Sequence, residues 1–150
     1  MANELPGKTF KAIGIVRNGI KQLPKQGWEN VASKIVVNSS LTEALDNLDE
    51  FSHIIVLYWM HQVAGNKLST KVHPMGNQEL PAVGLFATRS PNRPNPVGKA
   101  TVRLLKRQGN ILKVEGLDAI DGTPVIDIKP YIPGYDSATN AKVPPWITSR

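Results

Sequence analysis

KATVRLLKRQGNILKVEG, residues Lys99 to Gly116, carries its own turn. Lys99 to Arg107 alternates apolar and polar side chains, Gly109-Asn110 reverses the chain, and Ile111 to Gly116 alternates again. Two alternating runs joined in this way read as a β-hairpin. Antiparallel pairing is therefore the expectation for the neighbouring segments.

Upstream, HIIVLYWM (His53 to Met60) is a continuous apolar run of strand length, rich in β-branched and aromatic residues. It predicts a central strand covered on both faces, with His53 as a hydrogen-bonded core histidine. FKAIGIVR (Phe10 to Arg17), ended by Asn18-Gly19, and VASKIVVN (Val31 to Asn38) are further strands, as is Val83 to Thr88. Downstream, Pro124 to Tyr131 alternates, with Val125, Asp127 and Lys129 on one face and Ile126 and Ile128 on the other. One helix is predicted over Ser40 to Phe51. Ser40 and Glu43 form a capping box, Leu41, Leu45 and Leu48 share a face, and the acids read as a solvated surface. His61 to Ala82 has no clear period and is either a lid or disordered. The tail is irregular and packs Trp146 on the body.

Strands do not alternate with helices, so nothing builds a parallel sheet. The expected fold is mainly β: a single-sheeted antiparallel β-barrel, or a strongly curled sheet, with one short helix and long loops. At 150 residues one domain suffices, and no additional C-terminal domain is expected. The absence of cysteine excludes disulfides, thiolate zinc sites and a cysteine nucleophile. No apolar run reaches the length of a membrane span, and MANELPGKTF lacks a signal-peptide layout. A cytoplasmic protein is the expectation.

The net charge of +6 is unevenly placed: Phe51 to Lys113 holds nine Lys and Arg and a single acid, Glu79. Such a segment suits an anionic partner, nucleic acid first, although Lys67, Lys71 and Lys106 also read as ordinary solubility lysines. Within that segment, ATRSPNRPNPVG (Ala87 to Gly98) packs two arginines, two asparagines and three prolines into twelve residues. The prolines forbid a helix and narrow the unbound ensemble, which lowers the entropy lost when a ligand orders the loop. Arg89 and Arg93 then present planar forks suited to carboxylate or phosphate. A proline-rich surface turn whose arginines only face water gives the same pattern.

There is no GxGxxG, no phosphate-binding P-loop and no GxSxG elbow, and three histidines without a close pair support no metal site. What remains are polar loops between strands: Pro24-Lys25-Gln26, His61-Gln62, Arg89 to Gly98 and Asp118 to Pro124. Gathered at one barrel rim, they form a pocket with arginine on one side and Asp118 or Asp121 on another, suited to a zwitterionic or nucleoside ligand.

FATRSPNRPNPVG followed by LDAIDGTPVIDIKPY closely resembles the signature of the TsaA-like (TrmO-type) tRNA methyltransferase family. IGIVR, LPKQG, LDEFSHIIVLYWMHQ and AKVPPW match in the same order. The resemblance implies a β-barrel that binds S-adenosylmethionine outside the Rossmann framework. It implies a homodimer that methylates the exocyclic nitrogen of threonylcarbamoyladenosine beside the tRNA anticodon. By matching motif, the donor pocket uses Lys25, Gln26, His61, Gln62, Arg89, Lys99, Asp118, Asp121, Gly122 and Thr123. Two departures stand out. Lys25 replaces the family's usual arginine, and Lys99 stands where many members have an apolar residue, so it offers backbone contacts. Arg93, Lys71 and Arg103 are expected to contact RNA; His61, Asp118 and Asp121 are the candidates to accept a proton from the acceptor nitrogen, with alignment alone as the alternative. The alternatives are a methyltransferase with another acceptor and a non-catalytic RNA-binding barrel.

Overall fold

The computed structural model describes residues 4–22, 24, 26–62 and 68–147. In chain order the strands among them are β1 (Gly14–Arg17), β2 (Ala32–Val37), β3 (His53–Trp59), β4 (Lys71–Val72), β5 (Val83–Gly84), β6 (Val97–Gln108), β7 (Ile111–Glu115) and β8 (Pro124–Pro130). A four-residue helix, α1 (Pro133–Asp136), follows. Six strands close a barrel in the order β1-β2-β7-β6-β3-β8, and every neighbouring pair is antiparallel. β4 and β5 form a separate two-stranded ribbon.

The expected hairpin is β6–β7: Gln108 lies opposite Ile111, and Gly109 takes the left-handed φ of 60° that the turn requires. Each barrel strand sends at least one aliphatic side chain inward. Val16, Ile35, Ile54, Val102, Leu112 and Val125 are each at most 1% exposed. Burial of one such side chain contributes about 1.5–3 kcal/mol, so the barrel interior is the dominant stabilising element. β3 turns Ile54, Val56 and Tyr58 inward, but the cover on both faces that its apolar run predicts is confined to its middle: on the outer side Ile55 is buried and Leu57 half-buried, while His53 and Trp59 are exposed.

Two bulges break the simple period. In β8 the register against β3 shifts between Leu57 and Tyr58, so that Leu57 faces Asp127 but Tyr58 faces Val125. The extra residue, Ile126, lets Val125 and Ile128, three positions apart, both pack on the core. The predicted face assignment for this strand is thereby corrected. The second bulge, in β6, spans Leu104 to Lys106.

The predicted helix over Ser40 to Phe51 is replaced by two 3₁₀ segments, Ser39–Leu45 and Leu48–Glu50. Asn38, not Ser40, caps the first, its side chain accepting from the Ser40 amide at 3.0 Å. The chain leaves the helical region at Asp46 and turns through Asn47, whose φ is 69°; asparagine tolerates that region better than most residues. Arg107 fixes the break by donating to Asp46 Oδ1 at 2.8 Å and to the Thr42 carbonyl at 3.1 Å. This arrangement buries Leu45 against the barrel end.

Smaller corrections follow the same logic. β1 begins at Gly14 and leaves Phe10 exposed. The run from Val83 pairs for two residues only, then enters a 3₁₀ turn over Leu85–Ala87. His53 is exposed, because it sits one position off the inward-facing Ile54; its Nδ1 lies 2.7 Å from Ser52 Oγ and its ring meets Tyr131 edge-on. Trp146 is half-buried in an otherwise exposed tail.

The registers place three connections at one end of the barrel. β1 ends at Arg17 opposite Lys34 near the start of β2, β7 ends at Glu115 opposite Ala32, and β3 ends at Trp59 opposite Val97. The described residues of segments 18–31, 60–96 and 116–123 therefore share a rim. The described residues of the four polar loops read from the sequence belong to it.

Candidate functional site

The rim is assembled around Tyr58, near the end of β3. Its side chain is 4% exposed, and its hydroxyl donates to Asp118 Oδ1 at 2.7 Å, joining the end of β3 to the β7–β8 connection. Directly across the ladder lies Gly98, the last residue of the proline-rich signature. A Cβ at Gly98 would overlap the edge of the Tyr58 ring at Cε2 and Cζ and lie 2.9 Å from its hydroxyl oxygen. Glycine is required there because the ring occupies the space a side chain would fill. Burial pushes the Tyr58 hydroxyl far above the usual tyrosine range, the Asp118 hydrogen bond and charge push it further, and the Arg89 guanidinium opposes them. Tyr58 therefore stays protonated as a hydrogen-bond donor.

The proline loop is fixed at both ends. The Met60 amide donates to the Pro96 carbonyl at 2.8 Å, extending the β3–β6 ladder past Trp59. Thr88 Oγ1 donates to the Leu85 carbonyl at 2.7 Å. Between them Arg93 turns back on its own loop. Its Nη1 donates to the carbonyls of Thr88 at 2.8 Å and Ser90 at 3.0 Å, and its guanidinium lies 5.8 Å from the Phe86 ring centroid. Arg93 is a brace, whereas Arg89 is exposed.

Asp121 serves a different purpose from Asp118. Its Oδ1 accepts from the Asn18 and Gly19 amides at 2.9 and 3.1 Å, and Arg17 approaches its Oδ2 at 3.8 Å. Those amides, more than the arginine, hold its carboxyl below the usual range. Asn18 completes the lock, donating to Ser33 Oγ at 3.0 Å and the Ala119 carbonyl at 2.9 Å. Thr123 is buried, with its hydroxyl donated to the Ile120 carbonyl at 2.7 Å, and Gly122 takes φ 84° in the same turn. These three residues shape the loop that presents Asp118.

Gln26, His61 and Gln62 are exposed on the same rim, whereas Lys25 lies outside the described residues. Lys99 follows Gly98 on the outer wall of β6, opposite Leu57, with its side chain exposed. Arg103 is on that wall opposite Glu115, and Lys71 is on the β4–β5 ribbon. The expected RNA contacts Arg93, Lys71 and Arg103 thus occupy three separate elements. Tyr58 and Asn18 were missed by sequence reasoning, since each is defined by partners distant in the chain.

A cavity of about 320 Å³ lies at the opposite end, beneath the 3₁₀ segments, lined mainly by Ile13, Val37, Leu41, Leu45, Phe51 and Ile128. It carries no cation and is remote from the rim chemistry.

Residues 17–137 match the model of the tRNA-methyltransferase O N-terminal domain. The chain belongs to this family. A probable S-adenosyl-L-methionine-binding protein of Archaeoglobus fulgidus is 42% identical over 138 residues, which cover 89% of this chain and 37% of the relative. The mouse tRNA (adenine(37)-N6)-methyltransferase is 43% identical over 100 residues, covering 67% of this chain and 23% of the relative. A crystal structure of TrmO from Pseudomonas aeruginosa superposes with a TM-score of 0.72 at 30% identity, covering 93% of this chain and 61% of that one. The chain thus spans well under two thirds of the length of both of these relatives. Every residue of the Tyr58–Asp118–Gly98 junction falls within the matched TrmO-type region.

Proposed function

We propose that the rim binds S-adenosylmethionine and that the chain transfers its methyl group to a tRNA base. The observation that carries this is the Asp118 carboxylate, oriented by the Tyr58 hydroxyl at 2.7 Å, on the same rim as the stiff proline loop that exposes Arg89. The rim thereby offers a cation and an oriented, half-buried carboxylate, the complement of an amino acid's carboxylate and of its ammonium or a ribose hydroxyl. The donor set therefore fits the group that TrmO-type relatives are named for binding.

S-adenosylmethionine supplies a methyl carbon on a positively charged sulfur. The chain's part is alignment. Arg89 takes the carboxylate, and Asp118, held by Tyr58, takes the amine or a hydroxyl. The stiff loop braced by Arg93 keeps both in place before binding. Positioning alone can supply up to roughly 7–11 kcal/mol of barrier lowering. Bound there, the donor would supply its methyl to the acceptor nitrogen, leaving as the neutral thioether, and the nitrogen would have to give up a proton. Asp121 is a poor acceptor for that proton, since two amides stabilise its charged form. His61 and Asp118 are the remaining candidates.

We propose as acceptor the exocyclic nitrogen of threonylcarbamoyladenosine beside the anticodon: the mouse relative's name supports N6 of adenine 37, the basic middle segment supports RNA, and the threonylcarbamoyl group rests on the resemblance of the signature motifs. A cytoplasmic homodimer completes the reading, and sedimentation of the purified chain tests the dimer. Mass spectrometry of tRNA nucleosides from a strain lacking the gene tests the acceptor. Loss of the methylated threonylcarbamoyl base is expected, and an unchanged nucleoside profile would refute it.

A further inference from the structure

We infer that a row of four cations across the outer wall of the barrel is a track for the phosphate backbone of RNA; this rests on RNA being the substrate. Arg17 on β1 pairs with Lys34 on β2, Lys34 pairs with Lys113 on β7, and Lys113 pairs with Lys106 on β6. All four are exposed. Strands about 4.8 Å apart make the row about 14 Å long.

Two features set this row apart from dispersed solubility lysines. First, like charges directly opposite each other on a sheet are destabilising, yet three successive cross-strand pairs here are cationic. Of these four cations Arg17 alone has a carboxylate oxygen within 4 Å among the described residues, Asp121 at 3.8 Å, and Lys34, Lys113 and Lys106 form no ion pair there. The adjacent rung differs, with Arg103 opposite Glu115.

Second, Lys106 reaches the row only through the β6 bulge. Leu104 is half-buried and packs on the core, so strict alternation would turn Lys106 inward. The register shift between Leu104 and Lys106 leaves Leu105 and Lys106 both exposed and sets Lys106 opposite Lys113. Bulges commonly re-aim side chains beside functional surfaces.

The row starts at Arg17, next to the Asp121 lock on the loop rim. A depression of about 390 Å³, lined by Arg17, Lys34, Lys113 and Asp121, runs beside it. An RNA strand lying on the wall would therefore lead toward the rim, where the proposed donor site is.

The test is fluorescence anisotropy of a labelled tRNA transcript against the full chain over a series of salt concentrations. The variant combines Lys34→Gln, Lys113→Gln and Lys106→Gln; the control combines Lys8→Gln, Lys11→Gln and Lys142→Gln, with equal loss of charge. The row variant should lower the slope of log affinity against log salt by about 2 to 3, and the control by less than about 1. Its S-adenosylmethionine affinity should stay at the wild-type value, and its melting temperature should not fall. Equal slopes in the two variants, or wild-type protein that binds phosphatidylserine vesicles but not tRNA, would overturn the track. A wild-type chain that binds tRNA through the row but not S-adenosylmethionine would contradict the proposed function and leave the track standing.

Discussion

The hydroxyl of Tyr58 reaches Asp118 at 2.7 Å across sixty positions of sequence, and the ring it hangs from fills the space above Gly98. One buried tyrosine thus joins the β7–β8 loop to the end of the proline-rich signature. The geometry of the rim depends on that junction.

Gly98→Ala should therefore cost about 1–3 kcal/mol in denaturant unfolding, since the new methyl must displace the ring. Gly84→Ala is the matched comparison. Its φ of −62° suits alanine and nothing lies within 4 Å of the added carbon, so it should be neutral or gain up to about 1 kcal/mol. Equal effects at the two sites would remove the steric role given to Tyr58.

Tyr58→Phe keeps the ring and loses the donor, leaving the Asp118 carboxylate without it. A loss of about 1.5–3 kcal/mol is expected for a hydrogen bond to a charged group. The pH dependence has a definite sign. The folded pKa of Tyr58 is raised, so its contribution is complete below the ordinary tyrosine value and declines as pH rises above about 10. Wild type should lose stability from pH 9 to 11 more steeply than Tyr58→Phe, and parallel curves would show the hydroxyl to be unpaired in solution.

Asp121 should behave in the opposite sense. Its folded pKa is lowered by the Asn18 and Gly19 amides, so its contribution is present above the unfolded value and disappears as pH falls below about 4. In thermal melts, the stability difference between wild type and Asp121→Asn should be present at pH 7 and shrink toward pH 2. A difference independent of pH would mean that the charge is irrelevant to the lock.

Arg93→Lys keeps the charge but cannot grip two carbonyls with one planar fork. Donor affinity should fall, and protease cleavage between Ala87 and Gly98 should speed up, while the salt slope of tRNA binding stays at the wild-type value. Because lysine preserves the charge, Arg93→Ala supplies the discriminating arm: a slope reduced by about one phosphate contact would return Arg93 to the RNA surface.

The legible parts of this protein are the local ones. The β6–β7 hairpin is written in one contiguous stretch, the burial at the middle of β3 shows in HIIVLYWM, and hairpin connections imply antiparallel pairing, whereas closure into a barrel rests on the long-range β1–β8 and β3–β8 pairs. The helix over Ser40 to Phe51 was misread because its capping pattern is real as a sequence but is overridden by Arg107, sixty-one positions from its partner Asp46. The bulge at Ile126 depends on how β3 and β8 meet, which no period-two count contains. The site divides in the same way. Arg89 and Asp118 stand in recognisable loops, whereas Asn18, whose amide meets Asp121 103 positions away, shows locally only as a turn residue. Tyr58 hides inside an apolar run.

The most direct test is calorimetric titration of the chain with S-adenosylmethionine, beside Arg89→Ala, Asp118→Asn and Lys142→Gln. One donor per wild-type chain is expected, with at least roughly tenfold weaker binding for the first two variants, as loss of about 1.4 kcal/mol or more implies, and unchanged binding for the third. Wild-type affinity in Arg89→Ala and Asp118→Asn would place the donor away from the Tyr58 junction and contradict the account.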